Sequence, residues 1–130
     1  MKNIVISGSS KLLEKVIYWK NYFENKNFNV LDFPKKVDNK DLTIVYKNFY
    51  NAIENADVFF LMNEDKHIPG YIGYGSYAEL SYAIMLKLLH NKNIDIYILK
   101  VPSESVSCYD EIKFWLDQEL IKIYEDDLYE

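Results

Sequence analysis

Val58-Phe59-Phe60-Leu61-Met62, followed after a polar loop by Gly70-Tyr71-Ile72-Gly73-Tyr74-Gly75-Ser76-Tyr77-Ala78-Glu79, is the stretch that decides the fold. Its first part is an unbroken apolar run with no polar alternation, which predicts a strand covered on both faces, as in parallel sheets. Its second part leads into Leu80, Ala83, Ile84 and Leu88 at helical spacing, and Tyr82, Met85, Leu86 and Leu89 make that helix apolar nearly all round. Such a helix is expected to lie deep. Between strand and helix, Gly70, Gly73 and Gly75 place three of the chain's four glycines within six positions, where the backbone can turn sharply or approach a ligand. The junction marks a candidate site, with Gly73, Tyr74, Gly75 and Ser76 as substrate contacts.

Working outward, Asn3-Ile4-Val5-Ile6-Ser7 reads as a first strand and Gly8-Ser9-Ser10-Lys11 as a tight turn into a helix. Gly8, Ser9 and Ser10 are candidate contacts for an anion at that helix start. Their spacing matches neither a Walker loop nor a dinucleotide fingerprint, and Ser9 or Ser10 could equally serve as a helix cap. Leu12, Leu13, Val16, Ile17, Trp19 and Phe23 give the helix an apolar face. Phe28 to Asp32 follows as a strand closed by Pro34, and Lys35 to Lys40 reads as a surface loop. A helix over Leu42 to Asn55, capped by Asp41, feeds the middle strand. Beyond the glycine-rich junction come a turn at His90 to Asn93, a strand over Ile94 to Leu99, a helix over Cys108 to Asp117 and an edge strand over Leu120 to Tyr124. Alternating strands and helices predict a single α/β domain over residues 1–130. Its parallel, Rossmann-like sheet takes the flavodoxin-like order 2-1-3-4-5 with right-handed crossovers.

Ser76-Tyr77-Ala78-Glu79 admits two readings. As a capping box, Ser76 and Glu79 exchange hydrogen bonds at the helix start. As chemistry, Glu79 stands in the first helical turn at the C-terminal edge of the sheet, where open α/β folds bind ligands and where the helix dipole favours its ionised form. A carboxylate beside a glycine-lined cleft can act as a nucleophile toward an anomeric carbon.

Gly75-Ser76-Tyr77-Ala78-Glu79-Leu80-Ser81-Tyr82-Ala83 resembles the Gly-(Thr/Ser)-x-x-Glu-(Leu/Ile)-Gly-Tyr-Ala segment of nucleoside 2-deoxyribosyltransferases and the related 2'-deoxynucleoside 5'-monophosphate N-glycosidases, with Ser81 in the place of a glycine. Phe49 to Val58 is similar to the entry of that family's middle strand, and the resemblance covers roughly residues 1 to 100. It implies that Glu79 is the nucleophile, that the Gly8 to Lys11 turn contacts substrate, and that the chain is a homo-oligomer in which Tyr124, Asp126 or Tyr129 could reach a partner's cleft. A frayed terminus is the plainer expectation for those three. Where the transferases carry a base-handling Asp before this motif, Gly73 and Tyr74 stand here. Asn63 and Asp65, in the loop leaving the strand, are therefore further candidate contacts, with Glu64 or Asp65 as an alternative base-handling acid and His67 as a general-acid candidate or plain loop residue.

Composition sets the limits. The 130 residues are 49% hydrophobic and 27% charged, as in a soluble globular domain, and a formal net charge of −5 argues against a nucleic acid polymer as partner. A small nucleoside or nucleotide remains compatible. Cys108 is the only cysteine, so no internal disulfide can form; with no membrane-length apolar run and no leader pattern, a cytoplasmic protein is expected. No HxxxH, CxxC or acidic cluster with metal spacing is present, nor a Gly-x-Ser-x-Gly elbow, and neither metal nor cofactor is expected. Two other functions stay open: a phosphoribohydrolase of the cytokinin-activating type, whose longer Pro-Gly-Gly-x-Gly-Thr pattern is absent, and a non-catalytic module binding FMN or a nucleotide.

Overall fold

The computed structural model describes residues 1–37 and 41–129. Positions 38–40 of the surface loop expected over Lys35 to Lys40 lie outside the described residues, as does Glu130. The elements run β1 (Asn3–Ser7), α1 (Leu13–Asn25), β2 (Asn29–Asp32), α2 (Leu42–Glu54), β3 (Val58–Leu61), α3 (Tyr74–His90), β4 (Asp95–Ile98), α4 (Tyr109–Asp117) and β5 (Lys122–Ile123). Among the described residues all strand pairs are parallel, in the order β2-β1-β3-β4-β5. The order is the one that the alternation of strands and helices predicts.

Side-chain alternation splits the core in two. Val5, Phe59, Leu61, Ile96 and Ile98 point to one face and are covered by α2, α3 and α4 through Phe49, Ile53, Leu80, Ala83, Ile84 and Ile112. Ile4, Ile6, Val58, Phe60 and Met62 point to the other, where α1 covers them with Val16, Trp19 and Phe23. Tyr124 and Tyr129 complete that second face. Within the chain, the C-terminal segment as far as Tyr129 packs back on the chain's own sheet. The Tyr22 hydroxyl donates to Asp126 Oδ1 at 2.8 Å and lies 3.0 Å from the Tyr124 hydroxyl, while the Tyr129 hydroxyl donates to Asp95 Oδ2 at 2.9 Å. Burial, then these neighbours, push the Tyr22 and Tyr129 phenols well above their ordinary range.

Three expectations are corrected. On α1, Leu13 and Ile17 are exposed, because Val16, Trp19 and Phe23 already span the stripe that meets the sheet. On α3, Met85, Leu88 and Leu89 face outward, so the helix is buried along one side only. Most consequentially, α3 begins at Tyr74 with extended Gly73 as its N-cap, and no side chain caps it. Ile72, just before the cap, is buried in the same cluster that Tyr77 packs against, the arrangement of a hydrophobic staple. That contact outweighs the capping box spelled by Ser76 and Glu79, which become the third and sixth helical residues.

Candidate active site

The site is built at the C-terminal edge of the sheet, around the end of β1. Alternation along β1 turns Ser7, like Val5, toward the α3 face, and Ser7 is fully buried there. Starting α3 at Tyr74 places Glu79 in the second helical turn, directly over that strand end. The Ser7 hydroxyl donates to Glu79 Oε1 at 2.6 Å. Burial raises the Glu79 carboxyl to about 7; the Ser7 hydrogen bond opposes this and the charge of Asp32 adds to it. The expectation that the helix dipole holds Glu79 ionised is thus corrected. In the second turn the dipole has faded, and loss of water dominates.

Gly8 follows with φ of +153°, and a Cβ there would lie 2.6 Å from Met62 Cγ, so the chain can leave β1 past β3 only with glycine. The turn then presents Ser9 and Ser10. Neither caps α1, whose N-cap is Leu12 with no side-chain bond; the Ser9 hydroxyl accepts from the Lys11 N–H at 3.3 Å.

Two clefts open at this edge and share Gly8, Ser10 and Glu79. One, of about 190 Å³, runs between β2 and α2, with Phe33, Pro34, Val45, Tyr46 and Phe49 as walls and Asp32, Lys35 and Asn48 as polar groups. Asp32 reaches it from the end of β2, where the register with β1 shifts so that Val5 pairs with Asp32; such irregularities re-aim side chains. The other, of about 280 Å³, lies between the β1 turn and the start of α3, lined by Ser9, Lys11, Lys66, Tyr71, Gly73, Gly75 and Ser76. It is polar, carries two lysines, and lies against the first turn of α3, where backbone N–H groups lack helical partners. A Cβ on Gly75 would meet nothing within 4 Å, so packing does not demand glycine there; its absence leaves room in the cleft.

No protein-family model and no curated protein matches the chain. The site therefore stands on its own chemistry.

The structure brings together Gly8, Ser9, Ser10, Gly73, Gly75, Ser76 and Glu79 of the residues singled out from sequence. Tyr74 is 83% exposed and lines neither cleft. Asn63 and Asp65 also line neither. The buried Asn63 amide accepts from the N–H groups of Leu99 and Lys100 and donates to the carbonyls of Lys100 and Gly70, tying the β3 loop to the end of β4. Asp65 Oδ1 accepts from the Gly70 N–H at 2.8 Å and from Lys100 Nζ at 3.2 Å. Those bonds hold its carboxyl below the usual range. Glu64 accepts from the Trp19 indole at 2.9 Å, and the His67 ring rests 4.5 Å from that of Tyr71. None of Glu64, Asp65 and His67 lines either cleft. Asp32 and Lys35 were not reachable from local pattern, since strand order brings them to the edge, while Lys66 and Tyr71 stand beside and within the glycine-rich stretch but carried no signal of their own. Among the described residues no group of three or more potential metal ligands occurs.

Proposed function

We propose that the protein cleaves or transfers the N-glycosidic bond of a (deoxy)nucleoside or its 5'-monophosphate, with Glu79 as nucleophile. One observation carries this reading: the Glu79 carboxylate lies where an aromatic-walled cleft meets a polar, lysine-bearing one. A nucleotide has the same division, a flat base on one side of the glycosidic bond and a hydroxylated, anionic sugar phosphate on the other. With the base against Tyr46 and Phe49 and the sugar phosphate toward Ser9, Ser10 and Lys11, the anomeric carbon falls beside Glu79. Attack by ionised Glu79 forms a glycosyl ester while the base departs with the bonding electrons and takes up a proton. Water, or a second base, then attacks the same carbon and frees the carboxylate. The resemblance of Gly75 to Ala83 to the transferase motif supports the same chemistry.

The reading extends to a cytoplasmic homo-oligomer. Exposed Ile44 on α2, and Met85, Leu88 and Leu89 on α3, which packs beside α2, support association, to be checked by sedimentation. No helix among the described residues is long and apolar enough to cross a membrane.

The test is to incubate the protein with deoxynucleosides and their monophosphates, with and without a free acceptor base, and to separate the products. Glycosidic cleavage is expected, falling by several orders of magnitude in Glu79→Gln. A 2'-fluoro substrate should leave a sugar adduct on Glu79 detectable by mass spectrometry. Binding without cleavage in wild type, or full cleavage in Glu79→Gln, would end the nucleophile reading and leave a nucleotide-binding module.

A further inference from the structure

The aromatic-walled cleft contains two charged side chains that the proposed chemistry does not use, Asp32 and Lys35, and of these Asp32 is the buried one. Asp32 is only 8% exposed. Its Oδ1 is engaged twice, accepting from the Phe33 N–H at 2.8 Å and forming an ion pair with Lys35 Nζ at 3.1 Å. Its Oδ2 has no partner among the described residues. No buried side-chain oxygen among the described residues is left without a partner, so Oδ2 reaches solvent, and Asp32 lines the cleft. Around it Phe33, Pro34, Val45, Tyr46 and Phe49 offer flat apolar surface. A ligand that covers these walls removes water from Oδ2, and an anionic oxygen stripped of water costs heavily unless a donor replaces it.

Resting on the glycosidic reading above, we propose that Asp32 makes this cleft selective for nucleobases carrying an exocyclic amino group over those carrying a carbonyl at the same position. An amino group projects from the ring edge and can donate to Oδ2, while the neighbouring Lys35 ammonium can donate to the adjacent ring nitrogen. A carbonyl in the same place sets two acceptors against each other. The ring N–H of uracil or thymine is flanked by carbonyls on both sides, so a carboxylate that approaches it meets their lone pairs as well. Unmatched polar groups of this kind discriminate far more strongly than a change of apolar volume.

The test uses two pairs of 2'-deoxynucleoside 5'-monophosphates that differ only at that group, cytosine against uracil and adenine against hypoxanthine. Their binding is measured by calorimetry on wild type, Glu79→Gln and Asp32→Asn proteins, and their cleavage on wild type. The amino member of each pair should bind at least about tenfold more tightly to wild type and Glu79→Gln. In Asp32→Asn, whose amide can also donate to a carbonyl, the preference should collapse or invert. Thermal melting checks that Asp32→Asn folds; if it does not, Asp32→Ser, which keeps an acceptor for the Phe33 N–H, replaces it in the comparison. Equal binding within each pair, or a preference untouched in the Asp32 variant, overturns the proposal even if cleavage occurs. A preference lost with Asp32 in a protein that cleaves nothing upholds it and retires the glycosidic reading instead. No binding of any of the four overturns both.

Discussion

Glu79 has two environments to satisfy, a buried one that favours its protonated form and a hydroxyl donor that favours its anion. With its carboxyl raised to about 7, Glu79 binds a proton more tightly in the fold than in the unfolded chain. Its contribution to stability is therefore fully present below the unfolded value near 4.5 and is lost as pH rises through about 7, above which the fold carries a poorly solvated charge. Glu79→Gln should accordingly stabilise the protein at pH 8, on the order of 1–2 kcal/mol after screening by the open cleft, and change little at pH 5. Urea melts at the two pH values check this. Activity should run the opposite way, with kcat/KM rising toward a plateau above about 7 as the nucleophile ionises. Ser7→Ala removes the donor, so the acid limb of that profile should move upward by about one pH unit. Gly8 was singled out from sequence because it belongs to a local turn, and Glu79 because the segment around it resembles a known motif, although α3 starts five residues before it, at Tyr74. Asn63 was misread because an amide after a strand can serve backbone as readily as substrate, and only burial separates the two.

At the level of elements, the β3 loop and the start of α3 divide the work of holding the site open. Asn63 serves four backbone groups, so Asn63→Ala leaves buried donors and acceptors unpaired and should cost roughly 2–4 kcal/mol in chemical denaturation. Gly75 has the opposite character. Gly75→Ala places a methyl group in open space on a helix, and should raise stability by about 0.5 kcal/mol while weakening nucleotide binding, measurable by melting and calorimetry on the same variant. Sequence pattern located all nine elements to within a few residues because each carries its own periodicity. It placed the start of α3 too late because a capping box is a local signal, whereas the burial of Ile72 and the packing of Tyr77 depend on the finished core.

For the whole molecule, strand order followed from the alternation of strands and helices, but the closure of the second face did not. Residues 124–129 contain almost no regular structure, so neither a period of two nor one of 3.6 marks them as core. Yet Tyr124 stacks edge-on against Phe23 and Phe60, with ring centroids 5.4 Å away in both cases. Tyr124→Ala should cost roughly 3 kcal/mol, and a chain ending at Ile123 should melt well below the full chain. Differential scanning calorimetry on both variants checks the pair.

That late closure bears on how the chain behaves while it is being made. Synthesis proceeds from the N-terminus, so β1, α1 and β3 emerge and can meet long before Tyr124 and Tyr129 leave the ribosome. Until then Trp19, Phe23 and Phe60 present an aromatic surface with nothing over its far end. A chain stalled near residue 120 has not yet made β5, Tyr124 or Tyr129, so this aromatic side would stay open and sticky until synthesis resumes.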